Sequence, residues 1–159
     1  MKKKMLNLLL ELLKDSKRSD RELAKVLGVS QPTVSRTRSK LVKEGIIQEF
    51  TVIPDFVKMG YEIMAITTFQ TRATGMEERT AKWAEARPNV IFAARASGMG
   101  KNGVAISVHK SFTDYSNFVS DLRSEWGDAL GDYDMILISL RDLIAKPLSL
   151  KYLAEQKET

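Results

Sequence analysis

The sequence lacks cysteine entirely and contains a single histidine among its 159 residues. Without thiols it can form neither disulfides nor thiolate metal sites, a composition that suits a reducing compartment. It also lacks any run of the roughly 20 apolar residues that a membrane-spanning helix requires. Lys2–Lys4 precede an apolar run, but charged residues follow it instead of the small-residue cleavage site of an export signal. We therefore expect a cytoplasmic protein that makes no use of a membrane.

Groups that carry catalysis are scarce as well. His109 ends a predicted strand with no nucleophile near it in the sequence, so we expect it on the surface rather than in an active site. The glycine-rich residues 97–103 lack the spacing of a phosphate-binding P-loop. The sequence thus predicts no catalytic residue, no cofactor and no metal, in a protein that is not an enzyme.

The positive charge is confined to the first part of the chain. Residues 1–60 contain 13 Lys and Arg against 7 Asp and Glu, a net charge of +6. Residues 61–159 contain 12 against 13, a net charge of −1. A positive field raises encounter rates with nucleic acid but says nothing about fold. The first part is therefore the candidate for binding a polyanion.

The stretch SDRELAKVLGVSQPTVSRTRSKLVKEGII has the pattern of a helix-turn-helix. Ser19 followed by Glu22 forms a capping box that starts one helix, and Gly28 supplies the left-handed conformation that ends it. Ser30 is a second N-cap, and the following proline lies in the first helical turn, where its missing N–H costs nothing. Together with the small Ala24, this spacing is typical of the helix-turn-helix motif.

The second helix of this motif carries its charge on one face. No acidic residue occurs between Glu22 and Glu44, whereas a merely solvated helix usually mixes charges of both signs. An α-helix fits the major groove of B-DNA, where Arg, Gln, Ser and Thr can bind base edges. The alternative is a helical hairpin that packs in a bundle and is basic by chance. The residues predicted to contact double-stranded DNA are Ser30, Gln31, Pro32, Thr33, Ser35, Arg36, Arg38, Ser39, Lys40 and Lys43.

An amphipathic helix precedes the motif, and a β-rich segment follows it. The segment 46–53 predicts a strand pair or wing, broken by Pro54. It contains Glu49 and no Lys or Arg, so its contact with the DNA backbone should be weak. We predict a winged helix-turn-helix domain over residues 1–53, a connector over 54–60 and a second domain over 61–159.

The second domain has the element order β-α-β-β-α-β. Its helices are predicted to begin at the caps Thr74, with Glu77 as box partner, and Ser111. This order folds as a four-stranded antiparallel sheet with both helices on one face, a ferredoxin-like domain, so the chain belongs to the α+β class. The strands are predicted over residues 62–71, 89–96, 104–109 and 133–140.

The strands of this domain carry apolar residues at successive positions, and so on both faces of the sheet, as in Ile136–Ile138 and at Ala93 and Ala94. An open sheet face should be polar, so something apolar is expected to cover it. The simplest cover is the same face of a second copy in a two-fold contact. Residues 61–159 are therefore predicted to suffice for a homodimer.

The residues RELAKVLGVSQPTVSRTRSKLVKEGII followed by FTVIPDFVKMGY resemble the Lrp/AsnC family, the leucine-responsive transcription regulators. The downstream element order is similar to the effector and oligomerisation domain of that family. The resemblance implies homodimers or rings of dimers that bind near promoters. It also implies a small amino-acid effector held between subunits, at positions matching Ser97, Gly98, Met99 and Gly100.

One departure from the family pattern concerns the effector. The family commonly carries an acid shortly after the turn glycine, whereas Met99, Gly100, Lys101 and Asn102 follow Gly98 here. Burying the ammonium of an amino acid without a paired carboxylate is costly, so neutral amino acids should bind weakly or not at all.

The sequence therefore predicts a sequence-specific DNA-binding transcription regulator that acts as a homodimer or larger oligomer, with a small metabolite as a possible effector. The alternative is an architectural DNA-compacting protein with broad sequence tolerance, which would bend or wrap DNA.

Overall fold

The computed structural model describes residues 1–72 and 77–155, and every structural statement below concerns this part of the chain. The helices are α1 (Lys3–Lys14), α2 (Asp20–Leu27), α3 (Gln31–Lys43), α4 (Glu77–Glu85) and α5 (Phe112–Trp126). The strands are β1 (Ile63–Thr71), β2 (Val90–Gly98), β3 (Lys101–His109) and β4 (Leu130–Ser139).

The chain divides into two compact units. One comprises Pro54–Ala145, and the other joins Met1–Ile53 to the C-terminal segment that begins at Lys146. This segment contains a short 3₁₀ helix, Leu150–Ala154, that contacts α1. The predicted division placed the C-terminal segment in the second domain. Sequence alone does not say which helix the leucines of this segment pack against.

The first unit is a three-helix arrangement that matches the predicted motif. The Ser19 and Glu22 capping box is present, and Gly28 ends α2 with φ +64°. Buried apolar residues from all three helices form one core, so the orientation of α3 is fixed by packing. This core consists of Met5, Leu8, Leu12, Leu23, Ala24, Val34 and Leu41.

The predicted strand pair over 46–53 is not formed among the described residues. Ile47 packs partly against the helical core, but Phe50, Val52 and Ile53 are exposed. The β-branched residues give this segment a strand preference, yet no neighbouring segment of the chain pairs with it, and a strand needs a partner to be stable.

The second unit is the predicted antiparallel sheet. Its strand order is β2-β3-β1-β4, with β1 and β3 in the centre. Both helices pack on one face, where Trp83 of α4 and Phe118 of α5 meet Ala65 and Ala105 of the central strands. The ferredoxin-like α+β fold is therefore confirmed.

Both helices that pack on the sheet, α4 and α5, have an N-cap predicted from the sequence. The N–H of Asp114 donates a 3.1 Å hydrogen bond to Ser111 Oγ, so the predicted cap of α5 is confirmed. The predicted cap of α4, Thr74 with the side chain of Glu77, lies outside the described residues.

His109 is buried rather than on the surface, and that prediction was wrong. Odd-numbered positions of β3 face the helices, so the last residue of the strand lies beneath α5. Its ring contacts Tyr115 and Phe118, and Nε2 lies 2.8 Å from Ser107 Oγ. Burial lowers the pKa of His109, an effect that Asp114, 3.9 Å from Nδ1, partly opposes. The imidazole therefore serves as a neutral core residue near pH 7.

The sheet face opposite the helices is apolar, as the two-sided strands predicted. Cross-strand partners on this face include Ile66 with Ile106 and with Ile136, and Phe92 with Ile106. Phe92 is 51% and Ile136 is 63% exposed. Large apolar side chains gathered on an uncovered face mark an interaction surface.

Candidate nucleic-acid interface

Helix α3 is held so that one of its faces is directed to solvent. Val34 and Leu41 are at most 1% exposed and anchor the opposite face in the helical core. The helix begins directly after the tight turn at Gly28, with Ser30 at its N-cap and Pro32 in its first turn. Because the start of the helix and its buried face are held in this way, the opposite face is directed to solvent.

The predicted DNA-contacting residues lie mostly on this outward face. Ser30 was predicted to cap a backbone N–H of α3 with its side chain. Its hydroxyl instead lies 2.8 Å from the Thr33 hydroxyl and makes no hydrogen bond to a backbone N–H. Thr33 is half-buried. The exposed members of the set are Ser30, Gln31, Pro32, Ser35, Arg36, Ser39, Lys40 and Lys43.

A shallow groove runs along α3. It is lined by Ser35, Arg36, Ser39, Lys40, Lys43 and Glu44. Hydroxyls, a guanidinium and ammonium groups therefore lie side by side, which is the donor set that base edges and phosphates accept. Lys40 also lies 3.4 Å from Glu44 in an exposed ion pair, which contributes little to stability.

Arg38 is separated from the other predicted residues. Its guanidinium lies 2.7 Å from Asp20 of α2 and donates a 3.3 Å hydrogen bond to the carbonyl of Arg18. The side chain is three-quarters buried, so it fastens α3 to the start of α2. Sequence reasoning counted it as a free cation because the acid that binds it lies 18 positions earlier.

A second basic groove borders α3, at residues that the sequence does not predict as part of the interface. Its lining combines the N-terminal end of α1 with the middle of α3, namely Lys2, Lys3, Lys4, Met5, Arg36, Thr37 and Lys40. Arg36 and Lys40 line both grooves. Three successive lysines were the available signal, but only their contact with α3 connects them to the interface.

The predicted effector residues occupy the tip of the β2–β3 hairpin. Ser97, Gly98, Met99 and Gly100 are all exposed, and Met99 is 96% exposed with φ +52°. Beside the tip, Lys101 Nζ lies 3.0 Å from Asp134 Oδ2. The nearest cation and carboxylate thus neutralise each other.

Within the described residues, no helix is both long enough and apolar enough to cross a membrane.

Known proteins resemble the chain both in sequence and in structure. A family described as winged helix-turn-helix DNA-binding matches residues 1–48. An uncharacterized HTH-type transcriptional regulator of Pyrococcus furiosus, PF1231, is 36% identical over 74 residues, which are 46% of this chain and 50% of that protein. The matched stretch thus spans about half the length of such relatives.

Two further comparisons extend beyond the helix-turn-helix. The HTH-type transcriptional regulator LrpC of Bacillus subtilis is 32% identical over 93 residues, 58% of this chain and 64% of that protein. The crystal structure of PH0061, a protein of Pyrococcus horikoshii, matches with a TM-score of 0.80 at 23% identity, covering 94% of this chain and 97% of that one. At 23% identity, this structural likeness shows a shared fold and nothing further.

Proposed function

Because the chain belongs to the Lrp/AsnC family of helix-turn-helix proteins, we propose that it is a cytoplasmic, sequence-specific transcription regulator that binds double-stranded DNA as a homodimer. The observation that carries the proposal is the outward face of α3, on which Arg36, Lys40 and Lys43 are exposed. A helix with this face fits the major groove, where side chains can bind both bases and backbone.

The outward residues of α3 would have two roles, reading base edges and binding phosphates. Those nearest the helix start and along its outward ridge would read base edges: Ser30, Gln31, Pro32, Ser35, Arg36 and Ser39. Thr33, half-buried and bonded to Ser30, would support that end of the helix. Lys40 and Lys43 would bind phosphates, whereas Arg38 is engaged by Asp20.

Arg36→Ala and Lys40→Ala should affect DNA binding differently. Loss of a base contact at Arg36 should cost about 1–3 kcal/mol on the specific site and relax sequence choice. Loss of a phosphate contact at Lys40 should weaken binding to all DNA similarly and reduce the salt slope by about one unit. Binding to the protein's own upstream DNA and to random DNA, measured by fluorescence anisotropy over a range of salt concentrations, checks both. Equal losses on the two DNAs for Arg36→Ala would refute the base-reading role.

The same measurement separates the regulator from the architectural alternative. A sequence-specific regulator binds its site roughly 10³-fold or more tighter than random DNA at physiological salt. An architectural protein would bind both DNAs with similar affinity.

The open apolar sheet face supports the homodimer. Two copies of one face related by a two-fold axis would cover Phe92, Ile106 and Ile136 on both protomers at once. The exposed apolar residues of the segment 46–53, such as Phe50 and Val52, offer a further surface from which larger rings of dimers could be built.

We further propose that any small effector binds near Ser97–Gly100 at a subunit boundary and is not an ordinary neutral amino acid. The exposed hairpin tip offers little enclosure by itself, so a ligand there would need a second surface. The nearby carboxylate of Asp134 is already paired with Lys101, so the ammonium of an amino acid would compete for it.

A thermal-shift screen of the twenty common amino acids at millimolar concentration should accordingly give no substantial shift with neutral amino acids. A ligand at 100 times its dissociation constant would stabilise the fold by about 2.7 kcal/mol, which such a screen detects readily. The matched control is Ser97→Leu, at an exposed position of the tip. A clear shift with leucine or methionine that Ser97→Leu abolishes would contradict the prediction.

A further inference from the structure

We propose that Lys2, Lys3 and Lys4, together with Lys40, bind one phosphate strand of duplex DNA in the groove that they share with the base-reading Arg36. This inference rests on the proposed function and adds to it a second element, the N-terminal end of α1. The groove brings the three lysines beside the middle of α3, in a unit whose helices share one core.

The charges of this groove are uncompensated. Lys2, Lys3, Lys4 and Arg36 are all exposed, and none of them forms an ion pair within residues 1–72 and 77–155. Lys40 alone has an acidic neighbour, Glu44. A solvated basic surface usually contains interspersed acids, so clustered cations without them favour an anionic occupant.

The shared lining residues identify that occupant. Arg36 and Lys40 lie between the groove along α3 and the second basic groove, which Lys2, Lys3 and Lys4 also line and which is called the lysine groove below. An α-helix with its side chains is about 10–12 Å across, and the major groove is about 12 Å wide. A helix that fills the major groove therefore has a phosphate strand along its flank. For α3, the flank beside Arg36 and Lys40 is where the three lysines lie.

Phosphate contacts hold the protein in register and carry no sequence information directly. Each phosphate contact releases counterions from the DNA and makes the slope of log affinity against log salt concentration steeper by about 0.9. The lysine groove should therefore set the strength and the salt dependence of binding, while the outward residues of α3 set its sequence preference.

The test is the triple variant Lys2→Gln/Lys3→Gln/Lys4→Gln, measured against wild type by fluorescence anisotropy between about 50 and 200 mM salt. We expect the salt slope to fall by about two to three units. Affinities for the protein's own upstream DNA and for random DNA should fall by the same factor, at least about tenfold, because phosphate contacts are sequence-independent. The triple Lys→Arg variant should keep the wild-type slope.

The control removes three equal charges elsewhere. Lys58, Lys82 and Lys110 are exposed and belong to the other unit, so their triple Gln variant changes net charge identically. It should retain at least most of the wild-type slope. A slope unchanged in the N-terminal variant, or lowered equally in the control, would overturn the inference. Wild-type protein that binds no DNA would instead refute the proposed function itself.

Discussion

Replacing Phe92 and Ile136 together by aspartate should convert the proposed homodimer into a monomer in sedimentation velocity. Both side chains lie on the open face of the sheet, about half or more exposed in the single chain. Each is paired across the sheet with an apolar neighbour, Ile106 or Ile66. The two positions lie on the edge strands β2 and β4, so they test the proposed contact on both sides of its centre.

The size of this effect follows from what the interface would bury. A stable contact covers roughly 1,200–2,000 Å² in total, and each fully buried Phe or Ile contributes about 1.5–3 kcal/mol. An unpaired carboxylate in its place adds a desolvation cost of several kcal/mol. Because each substituted residue occurs in both protomers of a two-fold contact, its cost counts twice. The dissociation constant of the dimer should therefore rise by at least about a thousandfold.

The control for this experiment is Phe112→Asp/Leu143→Asp. These residues are 65% and 94% exposed, but Phe112 begins α5, on the opposite side of the sheet. This variant should remain dimeric. The full chain should be used, because the segment from Lys146 packs with the first unit and would lose its contacts in a 61–159 fragment. Dissociation of the control, or persistence of the dimer in the test variant, would contradict the proposed interface.

The parts of the structure that the sequence predicted well depend on neighbours within a few positions. The capping box at Ser19 and Glu22 and the cap at Ser111 involve residues three apart. The alternation in β1 and β3 is a property of each strand alone, and together with the β-α-β-β-α-β element order it was enough to predict the four-stranded sheet. Local signals of this kind survive because packing reinforces them.

The parts that the sequence did not predict depend on distant partners. Arg38 is bound by Asp20, and Lys2–Lys4 meet α3 only after the helices have packed. The β-rich segment 46–53 has the preference for a strand but lacks a partner. For each of these the residue type was informative, but the tertiary contact decided its role.

Gly103→Val should strongly destabilise the second unit, although Gly103 lies outside the strands that the sequence predicts. The hairpin turn is tighter than predicted, because Met99 and Gly100 both have positive φ and Gly98 already pairs with Lys101. Gly103 is therefore a strand residue opposite Phe69. A Cβ atom there would lie 2.5 Å from Phe69 Cζ, so its hydrogen leaves room for the ring.

The expected loss follows from the position of Phe69 in the core. The ring is 6% exposed and belongs to the same cluster as Trp83 and Trp126, so it cannot move without disturbing them. Overpacking of this kind costs about 1–3 kcal/mol, and valine should reach the upper end or exceed it. The protein contains two tryptophans, both in this cluster, so fluorescence-detected urea unfolding reports on the second unit specifically.

Gly131→Ala is the control, since a Cβ there would lie 2.9 Å from Gln70 Oε1, the end of a flexible side chain, and 3.2 Å from Gln70 Cβ and the Gln70 carbonyl oxygen, which need to shift by only a few tenths of an ångström. It should change the free energy of unfolding by less than about 1 kcal/mol. Gly103→Ala should also be destabilising, because its methyl group is the Cβ that meets Phe69. Replacing the ring by leucine in Gly103→Ala/Phe69→Leu should recover part of that loss, with a coupling of about 0.5–3 kcal/mol between the two positions. If the two substitutions were additive, or if Gly131→Ala cost as much as Gly103→Ala, glycine would be required at position 103 for a reason other than contact with Phe69.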